Sequence, residues 1–202
     1  ERLPLIKAMV AFVGDRQVRN RGTIGGSLVQ GDPTGEMPLG CLVLDATVHV
    51  LGPAGARTIS MADFYEGAYA TSLAPDEVLT EIRFPPHPPH FAFRECCRRH
   101  NDFCVLSVAA AGCVSDDGRW SGLRIGLGGV NDTPVLAEAS MALLRGSRLD
   151  DADIAAADDA ALGAIDPPDD IRGSAEYRAH LVPLYVARVL RDLRASAQTA
   201  AR

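Results

Sequence analysis

The residues best suited to chemistry are a Gly-Gly pair between small hydroxyl residues, in the stretch Thr23-Ile24-Gly25-Gly26-Ser27. Glycine has no Cβ, so the backbone reaches positive φ and approaches a ligand closely. Successive N–H groups in such a turn form a concavity that binds anions, and the hydroxyls of Thr23 and Ser27 add donors. The pattern predicts a loop for a phosphate-bearing cofactor, although a plain tight turn uses the same residues.

Charge also bears on this loop. Three arginines precede it, within residues 16–21, and they either lie in solvent or add positive charge beside the phosphate site. The whole chain is acidic, with a net charge of −6 and a pI of about 5.3. A general affinity for nucleic acid needs a basic face, so the sequence disfavours it.

The other reactive residue types show no pattern of a catalytic or metal site. The five cysteines are odd in number and lack C-x-x-C spacing, and the five histidines are scattered. We therefore predict no catalytic triad, no metal site and no disulfide framework, which fits a reducing cytoplasm. The sequence has no apolar run of the roughly 20 residues that span a bilayer.

The elements that position the loop fall into two parts. A helix is predicted over residues 3–13, a short buried helix over 38–44, and strands over 47–51, 57–59 and 78–84. Four prolines between positions 85 and 90 cannot continue a helix or a central strand. We expect domains at 1–85 and 91–202, joined by a Pro-rich linker at 86–90.

The second part is predicted to place strands before helices. Three β-compatible runs occupy 91–98, 105–114 and 123–128, with a hairpin turn at Asp116-Asp117-Gly118. Helices follow at 133–144 and 150–165, and in a last helix that Pro183 either starts or kinks. Strands followed by helices indicate an α+β fold with a three-stranded antiparallel sheet.

Several segments together resemble the FAD-binding medium subunit of the molybdenum hydroxylases, the carbon monoxide dehydrogenase and xanthine dehydrogenase type. They are, in order, Arg19 to Pro38, Ala74 to Ile82, Arg98 to Phe103, Gly126 to Val130, and Asp166 to Tyr177. The resemblance covers nearly the whole chain. It implies a partial FAD-binding domain (PCMH-like) followed by a domain like the C-terminal domain of the CO dehydrogenase flavoprotein.

The resemblance also implies roles for particular residues. Thr23, Ile24, Gly25, Gly26 and Ser27 correspond to the second phosphate-binding loop of the FAD site. Three further cofactor contacts are implied: Glu36 as an acceptor for a ribose hydroxyl, Leu79 beside the ring system, and Arg94 near the phosphate or the flavin.

Relatives begin with another FAD subdomain, and nothing in residues 1–22 matches its Gly-Gly loop. We therefore expect a chain that lacks this subdomain. The implied function is that of an electron-transfer subunit of an oxidoreductase. It would pass electrons from [2Fe–2S] clusters of a small partner subunit through FAD to an acceptor, while a large subunit holds the molybdenum cofactor. The alternative is a cofactor-free scaffold or interaction module that has lost flavin binding.

Overall fold

A computed structural model describes residues 2–99 and 102–200, so His100 and Asn101 of the 98–103 segment lie outside the described residues. The helices are α1 (Pro4–Val10), α2 (Arg16–Arg21), α3 (Ile24–Gln30), α4 (Glu36–Val43), α5 (Glu138–Leu143), α6 (Asp151–Ala160) and α7 (Ala175–Ala200), with 3-10 turns at Met61–Asp63 and Ala161–Ala164. The strands are β1 (Thr47–Gly52), β2 (Gly55–Ser60), β3 (Tyr65–Gly67), β4 (Ala70–Thr71), β5 (Val78–Arg83), β6 (His90–Cys97), β7 (Cys104–Val114), β8 (Trp120–Gly128) and β9 (Val135–Leu136).

The strands of the described residues form three antiparallel sheets. In the first part, β1 lies between β2 and β5, and β3 pairs with β4 in a separate ribbon. In the second part the order is β6-β7-β8-β9. The predicted α+β class is therefore confirmed, and the three predicted long strands of the second sheet are extended by a two-residue fourth strand.

The central strand β7 has both faces buried, which explains its nearly continuous apolar sequence. Val108 and Ala110 pack with the inner face of α7, whereas Ala109 and Ala111 pack with α1 and α4. The second sheet is therefore a layer between the long C-terminal helix and the helices of the first part. The start of α4, which carries Glu36, rests directly on this sheet.

Two predicted helices differ from the observed ones. The helix expected over 133–144 begins only at Glu138, because Val135 and Leu136 extend to pair with Leu127 and Gly126. Pro183 lies in the interior of α7, and neither starts the helix nor falls in its first turn. Burial of one face of α7 along the sheet stabilises the helix across this proline.

Candidate functional site

A cavity of about 1080 Å³ opens between the first four helices. The apolar side chains contributed by α1, α2 and the segment between them are Ile6, Val10, Val13 and Val18, and they form the apolar wall. Residues of α3, of α4 and of the segments before them also line the cavity. The polar or charged residues of the lining are Asp15, Arg19, Arg21, Thr23, Ser27, Gln30, Asp32, Thr34, Glu36 and Asp102.

The Gly-Gly pair lies in the first turn of α3, so the predicted loop with left-handed glycines is wrong in its conformation. Thr23 is the N-cap, and its Oγ1 accepts a hydrogen bond of 3.0 Å from the Gly26 N–H. The left-handed glycine is Gly31, with φ of 66°, and it ends the helix. A Cβ on Gly26 would lie 3.0 Å from Thr23 Oγ1, so glycine keeps this corner open. Anion donors are therefore supplied by the N–H groups that begin a helix.

Leu79 lies behind the same helix. Its Cδ2 is 3.5 Å from the position that a Cβ of Gly25 would take, and it packs with the cluster around β1 and β5. Neither Gly25 nor Leu79 belongs to the lining of the cavity, whereas Thr23, Ile24, Gly26 and Ser27 do. Leu79 therefore supports the helix from behind, and its role beside a ring system stays a prediction.

The turn before α4 is ordered by Asp32. Its Oδ1 accepts hydrogen bonds from the Thr34 N–H at 2.8 Å and from the Thr34 hydroxyl at 2.7 Å, which is the turn expected around Pro33. Glu36 follows in the first turn of α4 and lines the cavity. Burial raises the pKa of Glu36 above its ordinary value, the hydrogen bond to its own backbone opposes the rise, and the Asp32 charge adds to it.

Arg94 does not line the cavity, and its contact with phosphate or flavin stays a prediction. Its guanidinium is bound by Asp192 of α7, with Nε–Oδ2 and Nη2–Oδ1 distances of 2.6 and 3.1 Å. Side chains alternate between the two faces of β6, and this alternation directs Arg94 toward α7. Ala92 and Cys96 share the α7 face with Arg94, whereas Phe93 faces α1. A shift of one residue along a strand moves a side chain to the other face.

The basic run before the glycines forms the helix α2. Asp15 is its N-cap, with Oδ1 accepting from the Val18 N–H at 2.9 Å. Arg19 donates to the carbonyls of Val13 and Gly14 at 2.8 and 2.6 Å, so it fixes the corner between α1 and α2. An Asp before the run is a helix-start signal that predicts this element.

Sequence reasoning did not assign Phe103 to the cavity wall, although it singled out its segment. Phe103 and Asp102 line the cavity from the second part of the chain. The Arg172 guanidinium stands over the Phe103 ring, with Cζ 4.7 Å from the centroid, and donates to Asp170 at 3.1 Å. No local pattern in the sequence reports this contact, because Phe103 and Arg172 meet only through the fold.

The lining fits an FAD molecule. The cavity volume of about 1080 Å³ is slightly above the range of ordinary ligand pockets, which run from about 300 to 1000 Å³. The start of α3 offers N–H and hydroxyl donors for a diphosphate, Glu36 offers an acceptor for a hydroxyl, and the apolar wall accommodates a ring system. Among the described residues, no group of three or more His, Cys, Asp or Glu side chains is placed to hold a metal ion.

The fold and the cavity define a flavoprotein-type chain, and comparison with known families identifies it further. Residues 1–87 match the FAD binding domain in molybdopterin dehydrogenase, and residues 91–193 match the CO dehydrogenase flavoprotein C-terminal domain. The chain belongs to the family of FAD-binding medium subunits of the molybdenum hydroxylases.

Individual relatives show the same similarity. The chain is 37% identical to the nicotine 6-hydroxylase medium subunit of Paenarthrobacter nicotinovorans over 93% of its own length and 66% of the relative. It is 34% identical to the carbon monoxide dehydrogenase medium chain of Afipia carboxidovorans over 98% of its length and 69% of the relative. The chain thus spans about two thirds of the length of these relatives.

Solved structures agree with this assignment. Carbon monoxide dehydrogenase from Hydrogenophaga pseudoflava, in a form lacking the Mo-pyranopterin moiety, superposes with a TM-score of 0.92 at 34% identity, covering 96% of this chain and 68% of that one. Quinoline 2-oxidoreductase from Pseudomonas putida 86 gives 0.91 at 34% identity, over 97% of this chain and 68% of that one.

Proposed function

We propose that this chain binds FAD in the cavity between its first four helices and serves as the electron-transfer subunit of a molybdenum hydroxylase. Electrons would come from [2Fe–2S] clusters of a small partner subunit and leave to an acceptor, while a large partner subunit holds the molybdenum cofactor. The observation that carries the proposal is the start of α3, where Thr23, Ile24, Gly26 and Ser27 line the cavity.

Each part of the lining has a task in this proposal. The first N–H groups of α3 and the hydroxyls of Thr23 and Ser27 donate to the FAD diphosphate, and Glu36 accepts from a ribose hydroxyl. The apolar wall and Phe103 shield the bound ring system from water. The bound FAD supplies the redox chemistry, and the protein binds and orients it.

The organisation of the chain and its location complete the proposal. We propose residues 1–85 as part of an FAD-binding domain, 86–90 as the linker and 91–202 as the C-terminal flavoprotein domain. No helix of the described residues is long and apolar enough to cross a membrane. We propose the cytoplasm as the location, because the five cysteines are unpaired as expected in a reducing compartment.

Retention of flavin tests the proposal. The purified chain is equilibrated with FAD, passed through a desalting column, and examined for flavin absorption bands. We expect bands from the wild type and none from Gly26→Val, whose side chain projects into the corner beside Thr23. Gly67→Val is the matched control, because a Cβ there meets no atom within 4 Å.

Failure of the wild type to retain FAD would contradict the proposal for this chain. The cofactor-free interaction module would then be the better description.

A further inference from the structure

Phe103 is an aromatic side chain that lines the cavity from the second part of the chain, although it is 56% exposed. A side chain exposed to this extent has several rotamers open to it, and fixing one of them costs conformational entropy. A contact outside the cavity would keep the ring in the wall.

Arg172 supplies such a contact. Its Cζ stands 4.7 Å from the centroid of the Phe103 ring, within the 6 Å or so at which a cation is attracted to an aromatic face. The Arg172 side chain is 27% exposed and does not belong to the lining of the cavity. Arg172 therefore reaches the cavity through Phe103.

The Arg172 guanidinium is itself held by Asp170. Arg172 Nη1 donates to Asp170 Oδ2 at 3.1 Å, and the Arg172 N–H donates to Asp170 Oδ1 at 2.8 Å. The same Oδ1 accepts from Nη2 of Arg178 at 2.6 Å, and Arg178 is fully buried. One carboxylate thus connects the guanidinium over the ring to a buried arginine of α7.

The backbone on either side of Phe103 is tied to the same part of the fold. Before it in the sequence, Arg98 Nη1 donates to the Ile171 carbonyl at 2.7 Å. After it, the Val105 carbonyl accepts from Nη1 of Arg178. The place of Phe103 relative to residues 170–172 is therefore set by contacts on both sides as well as by the ring itself.

We propose that Arg172 is a positioning residue of the FAD site: its guanidinium, fixed by Asp170, keeps the Phe103 ring in the wall of the cavity. The inference rests on the proposed function, because the task of the ring is to shield bound FAD from water. Without the guanidinium, FAD must order the ring on binding. The dissociation constant should rise by about two- to fivefold, which corresponds to the strength of a cation–aromatic contact at an exposed site.

The first measurement is made on the ligand-free chain by NMR. The ring current of an aromatic side chain moves the resonances of protons above its face upfield. We expect the side-chain protons of Arg172 to resonate further upfield in the wild type than in Phe103→Leu, while those of Arg83 stay unchanged. Arg172 resonances that agree between the two chains would overturn the inference, whether or not FAD binds.

The second measurement is the dissociation constant of FAD for the wild type, Arg172→Met, Phe103→Leu and the double variant. We expect each single variant to bind more weakly, and Arg172→Met to cause no further loss once Phe103 is leucine, since contacting residues are not additive. An equal loss in both backgrounds would overturn the inference. It would show that the charge acts directly on the bound anion or through the fold at large.

Two further variants make the result specific. Arg83 pairs with Glu81, two residues before it, at 2.8 Å, as Arg172 pairs with Asp170, so Arg83→Met is the matched control and should bind FAD like the wild type. Arg172→Lys keeps a cation and should bind more tightly than Arg172→Met; equal weakening by all three variants would overturn the inference. Absence of FAD binding by the wild type would contradict the proposed function, and the NMR comparison would then decide whether Arg172 holds the ring.

Discussion

Gly126 sets the distance between α4 and the second sheet, so Gly126→Ala should displace the helix that carries Glu36. A Cβ at this position would lie 2.5 Å from Val43 Cγ2 and 2.7 Å from Leu39 Cδ1. Ordinary van der Waals contact between carbon atoms is at about 3.5–4.0 Å, so the helix must move by about 1 Å. Both contacts belong to buried side chains, which cannot turn into solvent.

The expected cost follows from two opposing effects. Overpacking of a buried site typically costs about 1–3 kcal/mol. Replacing a strand glycine by alanine recovers about 0.5–1 kcal/mol, because the unfolded chain loses freedom. Taken near the middle of both ranges, the net loss of unfolding free energy should be about 1–2 kcal/mol. For a chain of this size, the melting temperature would fall by about 2–8 °C.

Thermal and urea unfolding followed by circular dichroism measure this loss, and FAD affinity reports the displacement of Glu36. Gly163→Ala is the matched control, because a Cβ there meets no atom within 4 Å. We expect the control to be as stable as the wild type or more stable. Substitutions at exposed sites usually change the free energy of unfolding by no more than about 0.5 kcal/mol. A loss of that size or less in Gly126→Ala would show that α4 does not lie as close to the sheet as described.

Four further changes test other contacts. Arg178→Met should lower the unfolding free energy by about 3–5 kcal/mol, because the buried guanidinium serves two carbonyls and Asp170. Thr23→Ala should cost about 1 kcal/mol through loss of the α3 cap, and should weaken FAD binding. Hydrogen bonds from Arg57, and then from the Ala74 N–H, lower the pKa of Glu77 from 4.5 to about 2, so their stabilisation is present above pH 4.5 and is lost as pH falls toward 2. Cys113 is the exposed thiol and should react first with a thiol reagent.

Controls make these results specific. Thr23→Ser should keep most of the stability that the α3 cap contributes and most of the affinity for FAD, because serine keeps the hydroxyl group. Glu77→Gln should remove its share of the acid dependence between pH 4.5 and 2, and an unchanged acid-unfolding curve would contradict the ion pair. Cys113→Ser should abolish the fastest thiol reaction, so a fast phase that persists would show that another cysteine is more accessible than Cys113. For Arg178, a loss below about 1 kcal/mol, the scale of an exposed ion pair, would refute its burial.

Much of the fold follows from patterns that are local in the sequence. The long strands β6, β7 and β8 and the turn at Asp116-Asp117-Gly118 were predictable from apolar runs and a turn signal. Residues 133–144 show where this reasoning ends. Their helical propensity is overridden at Val135 and Leu136, because pairing with β8 satisfies backbone groups that no local pattern reveals.

The candidate site was predictable in composition and less so in geometry. The Thr23–Ser27 stretch and Glu36 do line one cavity, except Gly25, which lies behind it. The Gly-Gly pair was expected to turn through positive φ, yet Thr23 caps a helix there and both glycines are helical. Arg94 pairs with Asp192 on the α7 face of β6, so it does not line the cavity, and its contact with the cofactor stays a prediction. The face of a strand depends on register, which spacing alone does not set.

The contact of β7 with α1 and α4 implies that the two parts of the chain complete one another. Ala109 and Ala111 share a buried cluster with Leu5, Met9 and Leu39, which come from before the Pro-rich segment at 86–90. Cleavage in that segment would leave each fragment with an uncovered apolar surface. Mixed together, the fragments should associate without a covalent bond between them. A split version of this chain could therefore be used to detect the association of two proteins that are each fused to one fragment.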